Sequence, residues 1–191
     1  MTHETVNGTP ETVDFRLSRF VTNSLAFKDQ VDMGLIASDG LLNEPEVKTL
    51  LLLALGFEHE QIGEALSRTK LSIKSQLSRK KWGIFTKLGV SEGFEAVANC
   101  LALGIIQPEG LVHPLYEKRL KSLSDIERNI LDYSILLHGN GVGEAIAETI
   151  YYSPGTVKNN FNSTAKKLGA RNRLHVRAMH MAYGMIKARN R

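Results

Sequence analysis

The 191-residue chain has little of several residue types and patterns, and each shortage excludes a class of protein. Cys100 is the single cysteine, so the chain allows no internal disulfide and no cysteine-based metal site. No apolar run approaches the ~20 residues that cross a membrane. The first residues lack the basic start and apolar core of a secretory signal. We therefore expect a cytoplasmic protein without a membrane-bound part.

Residue sets that carry out catalysis are also missing from the sequence. No Ser/His/Asp set, pair of acidic residues or metal-ligand spacing stands out, so we expect no enzyme, no cofactor and no bound metal. The glycines at 139, 141 and 143 suggest a phosphate-binding loop, but the Lys-Ser/Thr ending and a preceding strand are absent. We interpret this stretch as a widened turn.

Acidic residues are absent from two long stretches of the chain. None occurs between Glu64 and Glu92, and none follows Glu148, whereas lysine and arginine are frequent in both windows. The net charge of +4 is uneven, being −2 over residues 1–106 and +6 over residues 107–191. A cationic surface without carboxylates is typical of proteins that face nucleic-acid phosphates. A solvated basic face is the alternative, but it does not explain why acids are missing at two similar places.

The chain does have helical periodicity, most clearly after residue 153. Ser153 and Pro154 suit the N-cap and first position of a helix, and Gly169 suits its end. Val157 and Phe161 recur on one face of that helix, which is expected to pack against a core. The rest of the helix and the residue just beyond it supply donors and cations that can contact DNA bases or phosphates: Thr156, Lys158, Asn159, Asn162, Lys166, Lys167 and Arg173.

The sequence around this helix resembles the LuxR/GerE family (NarL/FixJ-like) of helix-turn-helix domains. The resemblance is carried by Leu123-Ser-Asp-Ile-Glu127, Ile146-Ala147, Thr156-Val-Lys158, Lys167-Leu-Gly169 and Arg173. Asn160 stands where the family usually has histidine, and about three extra glycine-rich residues lie between the first two helices. The resemblance implies that the third helix of the domain reads the DNA major groove. It also implies that the fourth helix commonly serves as a dimer contact.

The same pattern occurs 84 residues earlier, where Ile62 corresponds to Ile146 and Lys74 to Lys158. Asn43-Glu-Pro-Glu46 begins this first copy. After its turn the first copy has four extra residues near Gly83. The insertion either lengthens the third helix by about one turn or breaks it. The predicted DNA-contacting residues of the first copy are Lys74, Ser75, Ser78, Arg79 and Lys87.

These patterns predict an all-α protein with two tandem four-helix helix-turn-helix domains and an N-terminal helical extension. The expected divisions are a partly disordered extension at 1–37, a first domain at 38–106, a linker at 107–121 and a second domain at 122–191. The apolar surfaces of the two fourth helices are broader than a three-helix core needs. We expect them to pair within the chain as a pseudo-dimer, or between chains as a homodimer. Internal pairing would place the reading helices in successive major grooves about 34 Å apart.

The expected function is sequence-specific binding of double-stranded DNA by a transcriptional regulator. An alternative of another class is a protein-interaction module that pairs with a LuxR-type regulator or with RNA polymerase and does not read DNA itself. The slightly acidic first half favours this alternative for that half. A sigma-factor-like fragment is disfavoured, because the other sigma regions are not recognisable in the sequence.

Overall fold

The protein is all-α in the parts that its structure, a computed structural model, describes: residues 41–78, 82–137 and 141–190. These residues form ten α-helices and one short 3-10 helix and contain no strand, which confirms the predicted fold class. The predicted N-terminal extension and its helical pattern over residues 13–36 lie outside the described residues. The division into two tandem domains stays a prediction.

The helices, in chain order, are α1 (Glu44–Ala54), α2 (His59–Ala65), α3 (Lys70–Leu77), α4 (Ile84–Lys87), α5 (Gly93–Ala102), the 3-10 helix η1 (Pro108–Gly110), α6 (Tyr116–Lys121), α7 (Asp125–Leu136), α8 (Val142–Ile150), α9 (Pro154–Leu168) and α10 (Arg173–Arg189).

Helix starts follow the capping signals in the sequence. Asn43 and Ser124 form capping boxes with Glu46 and Glu127, respectively, at the starts of α1 and α7. The side chain of Ser153 accepts a hydrogen bond from the backbone of α9, whose Pro154 stands in the first turn. Each of these caps satisfies backbone N–H groups that have no partner within the helix itself. The predicted starts of these three helices are therefore confirmed.

Two clusters of buried apolar side chains form the interior. The first cluster is built mainly by α1 to α5, and its largest buried members are Leu50, Ile62, Ile73, Ile84, Phe94 and Leu101. The second is built mainly by α6 to α9, and its largest buried members are Tyr116, Ile130, Leu131, Ile146, Phe161 and Leu168. Most residues of each cluster come from one sequence copy, but Ile135, Ala178, Met181, Ala182 and Met185 of the second copy pack in the first cluster.

Helix α10 belongs to both clusters. Ala178, Met181 and Ala182 pack in the first cluster, whereas Val176 and Met179 pack in the second. The helix lies against α5 and α1 on one side and against α7 and α9 on the other. The helices that stand fourth in the two sequence copies, α5 and α10, therefore contact each other within one chain.

The segment predicted as a linker, residues 107–121, is folded onto the rest of the protein. Its 3-10 helix packs against α10. Tyr116 is fully buried, and its hydroxyl lies 2.9 Å from Nδ1 of His180. Nε2 of His180 lies 2.8 Å from Oδ1 of Asp132, so one buried polar chain joins α6, α10 and α7. Burial and the nearby Asp132 carboxylate raise the pKa of the Tyr116 hydroxyl well above its usual range, so this group stays protonated.

The first copy has a broken third helix where the second copy has a continuous one. α3 ends at Leu77, and the chain resumes as α4 after Gly83, whereas α9 runs for 15 residues. A Cβ atom at Gly83 would collide with the carbonyl oxygen of Ser78. Of the two predicted outcomes for the insertion near Gly83, the structure has the break, because only glycine allows the chain to pass this close to itself.

The turn between α1 and α2 touches the start of α10 so closely that it also requires glycine. Gly56 has a φ of +80°, and a Cβ there would lie 2.8 Å from Cβ of His175 and 2.9 Å from Cβ of Arg171. Nδ2 of Asn172 donates a hydrogen bond of 3.0 Å to the carbonyl oxygen of Gly56. This contact holds the N-terminal end of α10 against the first cluster.

We predict that Gly56→Ala lowers the free energy of unfolding by about 3 kcal/mol, because it adds a steric clash to the cost of a positive φ. Gly89→Ala is the matched control, since Gly89 has a φ of +64° but no described atom within 4 Å of an added Cβ. The control should lose only about 1 kcal/mol. Urea denaturation of both variants measures the difference, and equal losses would contradict the close contact between the turn and α10.

Candidate nucleic-acid interface

Each half of the chain contains a helix, a tight turn and a second helix at the predicted place. α2 leads through Ser67 towards α3, and α8 leads through Tyr151 towards α9. Ser67 and Tyr151 have φ values of +54° and +58° and are the non-glycine residues with positive φ in the described chain. They are 84 residues apart, the separation of the sequence repeat. The left-handed turn is thus common to both helix pairs.

Helix α9 has an apolar side in the second cluster and a polar side towards solvent. Val157, Phe161 and Leu168 are buried. The solvent side carries four of the predicted contact residues, all exposed: Lys158, Asn159, Asn162 and Lys166. Lys158, Asn162 and Lys166 follow one another at intervals of four residues and Asn159 lies beside them, so the four form one stripe along α9. We call these four residues the α9 stripe.

Two further predicted residues lie at the ends of this region. The backbone N–H of Thr156 donates to Oγ of Ser153 over 3.1 Å, and the two side-chain oxygens are 2.9 Å apart. Thr156 therefore belongs to the helix cap. Arg173 is exposed at the start of α10, and its guanidinium carbon lies 5.7 Å from the centre of the Phe161 ring. It adds a positive charge beside α9.

Lys167 forms an ion pair that no local sequence pattern predicts. Its Nζ lies 2.8 Å from Oε2 of Glu127, whose side chain is only 4% exposed. The other carboxylate oxygen of Glu127 accepts a 2.8 Å hydrogen bond from the hydroxyl of Ser163. Glu127 also accepts from the backbone of Ser124 in its capping box. One carboxylate thus connects the start of α7 to two successive turns of α9, and Lys167, which the sequence predicts as a phosphate contact, takes part in this connection.

These hydrogen bonds lower the pKa of the Glu127 carboxyl group. Burial alone would raise its pKa, but the hydrogen bonds from Lys167, the Ser124 backbone and Ser163 favour the ionised form more and lower the pKa to about 2. The Glu127 carboxylate is therefore charged at every physiological pH.

The first copy contains the same connection. Nζ of Lys87 lies 2.7 Å from Oε1 and 2.9 Å from Oε2 of Glu46, which is also buried and also closes a capping box. Lys87 stands on α4, the short helix after the break. Lys87, which the sequence predicts as a DNA contact, therefore connects α4 to the start of α1. No local sequence pattern joins Glu46 to Lys87 or Glu127 to Lys167, because the partners are 41 and 40 residues apart.

The remaining predicted residues of the first copy lie on or near α3. Lys74 and Ser75 are exposed, and the hydroxyl of Ser78 donates to the carbonyl oxygen of Ser75 over 2.7 Å. Arg79 lies outside the described residues. Leu71 and Trp82 are 76% and 77% exposed in the same region, so this surface is more apolar than the α9 stripe.

The described residues contain neither a membrane-spanning helix nor a group of side chains placed to bind a metal ion. No helix there is long and apolar enough to cross a membrane. Across the same residues, no group of three or more His, Cys, Asp or Glu side chains is placed to hold a metal ion.

Comparison of the chain with models of known protein families, with curated proteins and with solved structures finds no match. The resemblance to LuxR/GerE domains consequently stays a prediction that depends on the residues themselves.

We predict that Glu127→Gln lowers the free energy of unfolding at pH 7 by about 1–2 kcal/mol, a value that allows for solvent screening of the half-exposed Lys167. The folded-state pKa of about 2 lies below the unfolded value near 4.5. The contribution is therefore complete well above pH 4.5 and is lost as the pH falls towards 2.

Thermal or urea denaturation across this pH range is the measurement. The variant should lose less stability than the wild type between pH 4.5 and 2. Asp125→Asn is the control, since Asp125 is an exposed carboxylate in the same helical turn. If both variants behave alike, the buried connection does not contribute as described.

Proposed function

We propose that this protein is a sequence-specific, double-stranded DNA-binding transcriptional regulator of the LuxR/GerE type, with α9 as its main reading helix. The observation that carries the proposal is the α9 stripe. Four exposed amide and ammonium side chains lie on one face of a helix whose other face is buried. No carboxylate follows Glu148 in the chain, so the stripe and α10 have no acidic residue of their own.

The chemistry of the stripe matches the edges of base pairs in the major groove. Asparagine side chains can bind adenine through two hydrogen bonds, and lysine can bind the acceptors of guanine. Asn159 and Asn162 are three residues apart, so they are neighbours on the exposed face of α9. Lys158 and Lys166 flank them and can bind either bases or phosphates. In helix-turn-helix proteins the preceding helix, here α8, supports the reader from behind.

The connection through Glu127 supports a reading role, because it holds α9 in one orientation. Lys167 and Ser163 are fixed to the start of α7 from the side of α9 next to the stripe. A recognition helix that is already held in one orientation loses little conformational freedom when it binds DNA.

We further propose that one chain acts as an internal pseudo-dimer. The apolar faces of α5 and α10 are covered by each other, so they are not available to pair two chains. The two copies carry different side chains at their exposed third helices, Lys74 and Ser75 against Lys158 and Asn159. Because of this difference we expect a DNA site whose two half-sites differ in base sequence.

A second function is favoured for the first copy by the exposed Leu71 and Trp82. α3 has only eight residues; Leu71 stands 84 residues before Gly155, and Trp82 lies near the insertion that the second copy lacks. Exposed apolar groups of this size are typical of protein contacts. The first copy would then bind a LuxR-type regulator or RNA polymerase while the second copy binds DNA.

Selection of bound DNA from a random pool provides the preferred site, and Asn162→Ala then tests the reading role. The variant should lose about 1–3 kcal/mol of binding free energy on the selected site and accept more than one base at one position. Gel shifts on selected and random DNA measure both effects. Asn129→Ala is the control, an exposed asparagine on α7. Equal losses on selected and random DNA would show that Asn162 does not read bases.

The neighbouring lysines 166 and 167 provide a matched pair for the phosphate contacts. Lys166→Ala should weaken binding to all sequences alike and lower the salt dependence of binding by roughly one unit, since one counterion fewer is released. Lys167→Ala should leave the salt dependence unchanged and instead reduce stability, because Lys167 is paired with Glu127. Binding measured at several salt concentrations separates the two, and the reverse result would return Lys167 to the phosphate contacts.

A further inference from the structure

Tyr151, in the turn between α8 and α9, has a backbone conformation that is unusual for a bulky residue. Its φ is +58°, in the left-handed region that glycine adopts without strain. The backbone N–H groups of Tyr151 and Tyr152 both donate to the carbonyl oxygen of Ala147, which closes the end of α8. Glycine is common where a helix ends in this conformation. A tyrosine at this position therefore costs folding free energy.

Packing within the protein does not offset this cost. The side chain of Tyr151 is 95% exposed, so its ring has almost no contact with the rest of the protein. The corresponding residue of the first copy, Ser67, has the same left-handed conformation and a much smaller side chain. The turn thus requires the backbone conformation but not the aromatic ring. A strained residue whose side chain packs against nothing suggests a role in binding.

The position of the turn indicates what the ring contacts. Tyr151 stands two residues before Ser153, the N-cap of α9, and the α9 stripe begins at Lys158. In helix-turn-helix proteins the first residues of the recognition helix contact base edges, so the turn that leads into this helix lies close to the DNA backbone. Glu148 is the last carboxylate of the chain, so no acidic residue after the turn repels a phosphate.

The chemistry of tyrosine suits a phosphate contact at this place. Its hydroxyl is a neutral hydrogen-bond donor, and tyrosine is among the side chains that commonly contact DNA phosphates. The rigid ring holds the hydroxyl away from the backbone and has few rotatable bonds to immobilise on binding. Tyrosine is also frequent in protein interfaces, but the surface next to the turn is the α9 stripe, whose lysines are depleted from the centres of such interfaces.

We propose that the hydroxyl of Tyr151 donates a hydrogen bond to a DNA phosphate beside the major groove in which α9 lies. The bond positions α9 on the duplex and adds affinity without selecting a base. This inference rests on the proposed function, and it adds to that site a residue outside the α9 stripe. Because the donor is neutral, the contact releases no counterion, unlike the phosphate contact predicted for Lys166.

Tyr151→Phe, which removes only the hydroxyl, tests the contact. Fluorescence anisotropy with the full chain measures binding to selected and random duplexes at several salt concentrations. The variant should bind both duplexes about threefold to tenfold more weakly, the effect of one hydrogen bond, and keep the salt dependence of the wild type. The control is Tyr183→Phe, which removes a hydroxyl that lies near Lys187 on α10 and should leave DNA binding unchanged.

Three results would each overturn the phosphate contact: unchanged binding by Tyr151→Phe, a loss confined to the selected duplex, or a reduced salt dependence. If the wild type binds duplex DNA and Tyr151→Phe binds it equally well, this contact fails and the proposed function stands. If the wild type binds no duplex DNA, both fail.

Tyr151→Gly separates a binding role from a structural one. Glycine adopts a positive φ without strain, so the Tm of this variant should equal or exceed that of the wild type. Its affinity for both duplexes should nevertheless fall at least as far as that of Tyr151→Phe. A lower Tm than that of the wild type would show that the ring stabilises the fold, and the proposed binding role would then be wrong.

Discussion

The packing of α10 between two apolar clusters is the interaction on which the rest of the structure depends. An α-helix can bury two of its faces against neighbouring helices when small residues on its surface let those helices approach closely. Ala178 and Ala182 provide this approach on the side of α5, and Val176 and Met179 fill the second cluster. Because one helix packs in both clusters, it joins the two halves of the chain. The folded segment 107–121 adds a buried series of hydrogen bonds from Tyr116 through His180 to Asp132.

The buried glutamates have a comparable role within each half. Burying a carboxylate is costly unless a positive charge and hydrogen bonds compensate it. Glu46 and Glu127 meet this condition in the same way. Each closes a capping box at the start of a helix and pairs with a lysine from a later helix of its own copy. Two lysines that look like DNA contacts in the sequence are used to orient helices. The other described cations that the sequence predicts as DNA contacts are exposed: Lys74, Lys158, Lys166 and Arg173.

The two copies share this glutamate–lysine connection but differ in the surface that they expose to solvent. α9 is continuous and polar, whereas the corresponding helix of the first copy is interrupted between Leu77 and Ile84 and exposes Leu71 and Trp82. After the interruption, Ile84 is buried in the first cluster and Lys87 pairs with Glu46. The same glutamate–lysine connection therefore accompanies two exposed surfaces of different chemistry, a polar and cationic one on α9 and a more apolar one near α3.

The sequence by itself determined the features that depend on local interactions. Helix starts at Asn43, Ser124 and Ser153, the buried face of α9 and the all-α class all follow from capping residues and helical periodicity, which act over a few residues. The sequence also located the α9 stripe, since exposure along a helix follows from its buried face. Only the tertiary structure decided that Lys87 and Lys167 face buried carboxylates and that the insertion near Gly83 breaks a helix. These features depend on contacts between residues about 40 or more positions apart, or on the exact approach of two backbone segments, and no local pattern specifies either.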